Sequence, residues 1–338
     1  MFSASLELPP SGESPTHASA DERRRIQDSR AFRRLAGKTQ VITCPLVDDV
    51  STRLTHTLEV ASFARAIASG LDMRSTQHPA ASLDIDLVEA IALAHDVGHP
   101  PFGHAGEAVL ARLAAASGLG GFHHAAFGVR LLSLLERGDD GQPVVRSPAV
   151  LDGVIAHSKG KSGAVFARGL SLQKRSTEAL VVRAADLYAY ACFDLEDAYR
   201  LGVFTPADVP ARSARVLGRR GPEVRHALIT RTVAATLAEP DQGLHLDAEA
   251  DEALAMLRAF LYERFYEGPA TAEQTRRAAD VLTTLWRFFE RDLERALREA
   301  GWTHRSSAAP SMRDALDATA CLTDRRAIEL ASRHAHVS

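Results

Sequence analysis

An imidazole and a carboxylate stand side by side at His95 and Asp96, at the end of the apolar run IALAHD. Burying such a pair without a partner costs on the order of several kcal/mol, and a bound cation relieves that cost. Divalent transition metals take imidazole and carboxylate ligands that converge from several elements and leave positions for water. His56, His95 and Asp96 qualify. For an isolated His-Asp pair the competing reading is a satisfied core histidine beside a capping aspartate. Two features favour chemistry. Of fourteen histidines, seven (His56, His78, His95, His99, His104, His123 and His124) fall between positions 56 and 124, a density that scattered surface residues rarely reach. Asp186 lies in the apolar stretch RAADLYAYACFDLEDA, where an acid among Ala, Leu and Tyr needs a reason, and it completes an H…HD…D set. On a helix Asp186, Tyr190 and Asp194 are spaced i, i+4, i+8 and line one face. Glu196 and Asp197 fit an ordinary solvated stripe.

The elements that must position these groups read as helices throughout. Ser51 or Thr52 can cap a helix carrying Leu54, Leu58, Ala61 and Phe63 to Ile67, with His56 in its first turns. Asp84 or Asp86 opens the next, whose Leu87, Val88 and Ile91 to Ala94 are apolar nearly all round, so it belongs in the core. The two Gly and two Pro of HDVGHPPFGHAGE stop that helix and force an irregular loop before a helix over Ala105 to Leu113. Further helices are expected at about 122–137, 148–157, 177–201, 222–238, 247–266, 271–299 and 311–332, with RGDDGQP (137–143) and HSKGKSG (157–163) as loops. No strand pattern competes, and the fold class is all-α.

Composition sets outer bounds. The chain has 338 residues, 46% hydrophobic and 25% charged, in the soluble globular range. A net charge of −3 removes the electrostatic argument for broad nucleic-acid binding. Cys44, Cys192 and Cys321 are too few and scattered for a disulfide framework or a Cys-rich zinc site, which fits the reducing cytoplasm. MFSASLELPP has no secretory pattern, and no apolar run approaches the ~18 residues of a membrane span. Residues 1–20, rich in Ser and Pro, are expected to form a disordered leader. The body is expected over 21–338, with a metal-binding core at about 50–200 and a C-terminal helical extension at about 201–338.

Five segments, FRRLAGKTQV, TRLTHTLEVA, IALAHDVGHPPFGHAGE, the DLYAY…DLED helix and the tail LTDR (322–325), occur in the order of one known family. Through them the chain resembles the deoxyguanosinetriphosphate triphosphohydrolase-like branch of the HD-domain superfamily. The resemblance spans nearly the whole chain and implies an HD-domain helical fold with additional C-terminal helices. It implies that His56, His95, Asp96 and Asp186 ligate a divalent metal ion, for which Mg, Mn, Fe, Co, Ni and Zn all remain open. It implies that His104 and Glu107, spaced i, i+3, form a catalytic pair, and that His99 and His124 are further active-site histidines. Arg53, on the His56 helix face, resembles a phosphate-binding arginine. Gln40 matches a nucleoside contact, and Tyr190 and Asp194 match sugar- and phosphate-end contacts. An aromatic face on a deoxyribose would disfavour a 2′-OH. The implied reaction converts a dNTP, dGTP by resemblance, into deoxynucleoside and inorganic triphosphate. The implied partners are the dNTP substrate, a homo-oligomer such as a hexamer, and a dNTP or single-stranded DNA as effector, with no membrane.

The chain departs from the family where FHHAAFG (122–128) stands in place of FEHNAQS, so Ala125 and Phe127 replace polar residues. Phe193 replaces a common His, and Leu187 a common acid. Outside the motifs, His123 reads as a surface histidine, and Arg33, Arg34 and Lys38 as a solvated face or a phosphate or subunit contact. Lys159 and Lys161 read as loop residues. One rival reading is an HD phosphatase or phosphodiesterase for monophosphates or signalling nucleotides. Another is a nucleotide- or nucleic-acid-binding regulator without turnover.

Overall fold

Caps decide where the central helices begin. Thr52 and Thr55 exchange N–H···Oγ1 hydrogen bonds of 2.9 and 3.3 Å, and Asp84 accepts from the Leu87 N–H at 3.0 Å. Each satisfies backbone donors that a helix start leaves orphaned. The computed structural model describes residues 15–41, 50–72, 83–158, 176–303 and 309–335. In chain order the helices are α1 (Pro15–Asp28), α2 (Arg30–Arg34), α3 (Arg53–Asp72), α4 (Ile85–Ala94), α5 (Gly103–Ala116), α6 (His124–Arg130) and α7 (Pro148–His157). They continue as α8 (Thr177–Arg200), α9 (Ala211–Val216), α10 (Gly221–Ala238), α11 (Ala248–Leu261) and α12 (Pro269–Arg291). The last are α13 (Leu293–Ala300), α14 (Met312–Cys321) and α15 (Asp324–His334). The described residues contain only two isolated β-bridges and no strand, as expected for an all-α chain. Among them no helix is long and apolar enough to cross a membrane.

The core centres on α4, in which Val88 and Ala90 to Ala94 are all buried. Helix α3 packs against α4, α8 and α10, α7 against α4 and α8, and α5 against α12, which also meets α15. One apolar body therefore joins the N-terminal and C-terminal halves.

The boundaries differ from expectation in four places. Helix α1 begins at Pro15, so residues 15–20 are helical rather than part of the disordered leader expected over 1–20: proline suits a first helical turn, and Ser19 donates to Asp84 at 2.7 Å. The expected helix over 271–299 breaks at Asp292, whose side chain accepts from the Arg295 N–H and starts α13. The helix over 311–332 breaks likewise at Thr323, which caps α15 by accepting from Arg326. Helix α9 was not anticipated. Cys44, His78, Lys159 and Lys161 lie outside the described residues.

Two backbone features bring distant segments to His95 and Asp96. A Cβ on Gly98 would lie 2.1 Å from the His124 carbonyl oxygen and 2.3 Å from the Gly128 nitrogen, so only glycine lets α6 approach the loop this closely. Phe102 adopts φ 65°, a left-handed conformation that costs a non-glycine residue free energy. Its N–H donates to Asp324 Oδ1 at 2.9 Å, while Asp324 Oδ2 accepts from the Thr39 N–H at 3.0 Å and from the Thr39 hydroxyl. The LTDR segment thus clamps the loop and the strip before α3 together. Lys38 is buried and donates to the carbonyls of His99 and Ala320, which corrects its reading as a solvated or phosphate-reaching residue. Arg34 pairs with Glu136 at 3.1 Å, while Arg33 is exposed.

Asp324→Ala removes the acceptor of all three bonds. It is expected to cost about 2–3 kcal/mol, seen as a Tm lower by several degrees, together with a reduced turnover number. An unchanged Tm contradicts the clamp.

Candidate metal centre

Three helices deliver the four candidate ligands. His56 comes from the first turn of α3, His95 and Asp96 from the C-terminal end of α4, and Asp186 from the middle of α8. All four are at least nine-tenths buried. Asp186 Oδ1 lies 3.2 Å from His56 Nε2 and 3.8 Å from His95 Nε2, and Asp96 Oδ1 lies 3.5 Å from His95 Nε2. Ligand atoms of His56, His95 and Asp96 fall within 4.8 Å of one another.

Tautomers suit a cation. His95 Nδ1 lies 2.6 Å from the Ala92 carbonyl, which can only accept, so the proton sits on Nδ1 and Nε2 carries the lone pair. That Nε2 is buried without a hydrogen-bond partner. Burial pushes the His56 pKa down, against the pull of Asp186 and Asp96, and favours a neutral ligand imidazole. Burial by itself would raise Asp96, but His95, His99 and Arg53 outweigh it and hold the carboxyl well below the usual range. A buried imidazole nitrogen without a hydrogen-bond partner, beside two carboxylates, fits a divalent ion.

Arg53 is fully buried, and its Nη1 donates to Asp96 Oδ2 at 2.6 Å. The residue expected to hold a phosphate thus first fixes Asp96, leaving Oδ1 turned toward the histidines.

Beside the centre lies a cavity of about 530 Å³ whose lining includes Asp96, His99, His104, Glu107, His124 and Asp186. Glu107 ties its histidines together, with Oε2 3.2 Å from His104 Nδ1 and Oε1 2.8 Å from His124 Nδ1. Burial opposes ionisation of Glu107, yet His124 and His104 outweigh it and keep its pKa far below the ordinary value. His99 stacks on His124 with centroids 3.9 Å apart. His123 is buried, stacks on His124 and lines the cavity, which corrects its reading as a surface residue. Burial and His124 lower its pKa to about 4.

A second cavity of about 530 Å³ shares His104, Ala108 and Tyr190 with the first, and is lined also by Gln40, Tyr262 and Tyr266. Both polar atoms of the Gln40 amide are buried without a hydrogen-bond partner. Asp194 stands behind this cavity and accepts from the Tyr266 hydroxyl. Burial pushes its pKa up to about 8, with the Tyr266 hydrogen bond opposing.

His157 was not singled out from the sequence. It ends α7, is buried, and places Nε2 3.1 Å from His124 Nε2 and 3.9 Å from Asp96 Oδ1. The available signal was the repeated helix ending, Ile155-Ala156-His157 beside Leu93-Ala94-His95.

The chain is similar to known proteins over most of its length. Residues 53–191 match the HD domain family, and residues 244–333 match the phosphohydrolase-associated domain. A deoxyguanosinetriphosphate triphosphohydrolase-like protein of Desulfatibacillum aliphaticivorans is 36% identical over 312 residues, covering 91% of this chain and 84% of that protein. One of the same description from Caldanaerobacter subterraneus is 36% identical over 278 residues, 82% of this chain and 74% of its own. Another, from Paracoccus denitrificans, is 34% identical over 359 residues, 92% and 91% respectively.

Asp186→Ala is expected to weaken Mn2+ binding by more than about 100-fold, since even an outer-shell partner costs about 10–100-fold, with the far-ultraviolet circular dichroism unchanged. A calorimetric isotherm identical to the parent's contradicts the ligand set. Asp194 supplies a pH test. An acid with a raised folded pKa binds more protons folded than unfolded, so its burden on stability grows as pH rises from about 4 to about 8. Asp194→Asn is therefore expected to raise Tm relative to the parent at pH 8 and much less at pH 5; a pH-independent difference contradicts this.

Proposed function

The chain belongs to the deoxyguanosinetriphosphate triphosphohydrolase-like family of HD-domain proteins, metal-dependent phosphohydrolases, and we propose that it cleaves a dNTP, dGTP first among them, into deoxynucleoside and inorganic triphosphate. The observation that carries this reading is the meeting of two unlike cavities at His104 and Tyr190. The histidine-rich one abuts the ligand set and suits a phosphate chain. The aromatic one, with the unpartnered Gln40 amide, suits a nucleoside: a buried amide without partners favours a ligand that supplies a matching donor and acceptor.

His56, His95, Asp96 and Asp186 would hold the cation. When bound, a divalent ion there supplies a Lewis acid that neutralises phosphate charge and acidifies water. Arg53 orients Asp96 and adds a fixed positive charge beside the site of an α-phosphate. His104 sits at the junction of the cavities, where the bond between the α-phosphorus and O5′ would lie. Water adds its oxygen to that phosphorus as the bond to O5′ breaks, the departing O5′ takes a proton from His104, and the proton that the water gives up restores the imidazolium. Glu107, ionised and hydrogen-bonded to His104 Nδ1, stabilises the protonated imidazole that donates it. The same carboxylate orients His124 toward the phosphate end.

Incubation with dGTP and Mn2+, followed by anion-exchange chromatography, is expected to yield deoxyguanosine and intact triphosphate. Release of dGMP with pyrophosphate, or of orthophosphate alone, contradicts the reading. Glu107→Gln is expected to lower kcat by about 10²–10⁴-fold with little change in KM. A change confined to KM contradicts the proton-transfer role.

A further inference from the structure

We infer that Asp317 is a positioning residue for the histidines of the site: from α14 it grips Arg130 at the end of α6 and thereby sets where His124 stands against His99. The inference rests on the proposed reaction for the part these histidines play, and adds a residue that touches none of the reacting atoms.

Asp317 is a fully buried acid between Leu316 and Ala318 on α14, and the proposed reaction leaves it unused. Arg130 donates to its Oδ2 from Nε at 3.0 Å and from Nη2 at 2.7 Å. Arg313, on the same helix, places Nε 3.3 Å from Oδ1. Burial pushes the Asp317 pKa up, with Arg130 opposing. Apolar side chains of similar volume would fill this space at least as favourably, because each buried charge forfeits its water. What the ion pair adds is direction. A planar guanidinium with two N–H groups on one oxygen fixes the distance and the angle at which α6 meets α14.

Helix α6 needs such a restraint. It has seven residues, and His123 begins it without a side-chain capping bond. Its N-terminal end hangs on Glu107, whose Oε1 lies 2.8 Å from both the backbone nitrogen and Nδ1 of His124. Its middle presses on Gly98. A turn about the helix axis would still be open, and the Arg130–Asp317 pair blocks it from the far end, about 9 Å along the axis from His124.

The same turn of α14 also holds the other stacked ring. The Ala320 carbonyl accepts from the Lys38 ammonium, which donates in turn to the His99 carbonyl. One short stretch of α14 therefore ties down both segments that carry these rings, α6 through Arg130 and the loop after α4 through Lys38. His99 and His124 stack with centroids 3.9 Å apart and planes 14° apart, and both line the cavity beside His104 and Glu107. A displacement of about 1 Å in a reacting group can cost about 10²-fold in rate, so an anchor on a remote helix is felt at the cavity.

The test compares Asp317→Asn, Arg130→Met and the double variant in the full chain with Mn2+ and dGTP. Each is expected to lower kcat by about 10–100-fold, with KM and Mn2+ affinity unchanged. The double variant is expected to lose no more than the weaker of the two single ones, because all three break one link. Arg130→Lys, which keeps the charge, is expected to recover part of the loss. In chains carrying 15N-labelled histidine, the ring signals of His99 and His124 are expected to move in each variant, while that of His245, outside the site, stays. A parental kcat in folded variants, a change confined to KM, losses that multiply in the double variant, or unmoved ring signals overturn the inference. A parent that releases no deoxyguanosine refutes the reaction instead, and the ring signals then decide the placement alone. Where Asp317→Asn fails to fold, Arg130→Met decides, because Arg130 is partly exposed and Arg313 still faces the acid.

Discussion

The structure depends on keeping Asp96 ionised in the interior. A carboxylate removed from water must be compensated by charge or hydrogen bonds from groups that are themselves fixed. Arg53 supplies one full charge to Oδ2, and imidazoles surround Oδ1. That requirement explains why a fully buried arginine stands at the start of α3, why α4 ends where it does, and why α6 and α7 turn their histidines inward. It also makes a cation the natural partner of a site with two buried carboxylates facing mostly neutral rings.

Positioning follows from the same constraint. The loop after α4 stays buried through Gly103, held there by a left-handed Phe102 and a glycine at 98 pressed against α6. Asp324, far along the chain, holds that loop to the strip carrying Thr39 and Gln40. The C-terminal helices are thus part of the site: they fix its walls, and α12 closes against α5, which bears His104 and Glu107. The phosphohydrolase-associated match over 244–333 falls on this supporting half.

Much of this was legible in the sequence because it is written locally. An apolar run ending in His-Asp, an acid inside an alanine-rich helix and the caps at Thr52 and Asp84 each carry a nearby physical signature. His123, Lys38 and His157 were not legible, because their burial depends on packing between helices. Lys38 looks like one more basic residue until its ammonium meets two carbonyls from distant loops. His123 looks exposed until α6 is drawn onto Gly98. Arg53 was picked out from its neighbours, but only the fold reveals that its guanidinium meets Asp96. Breaks at Asp292 and Thr323 were missed because the hydrophobic periodicity continues across both, while a single capping side chain interrupts the backbone.

The central claim is that four side chains from α3, the end of α4 and α8 share one cation. A crystal soaked in Mn2+ and measured at the manganese absorption edge tests it most directly. The account predicts an anomalous peak about 2.0–2.3 Å from His56 Nε2, His95 Nε2 and carboxylate oxygens of Asp96 and Asp186. A peak elsewhere in the molecule, with these four residues bound only to one another, would contradict it.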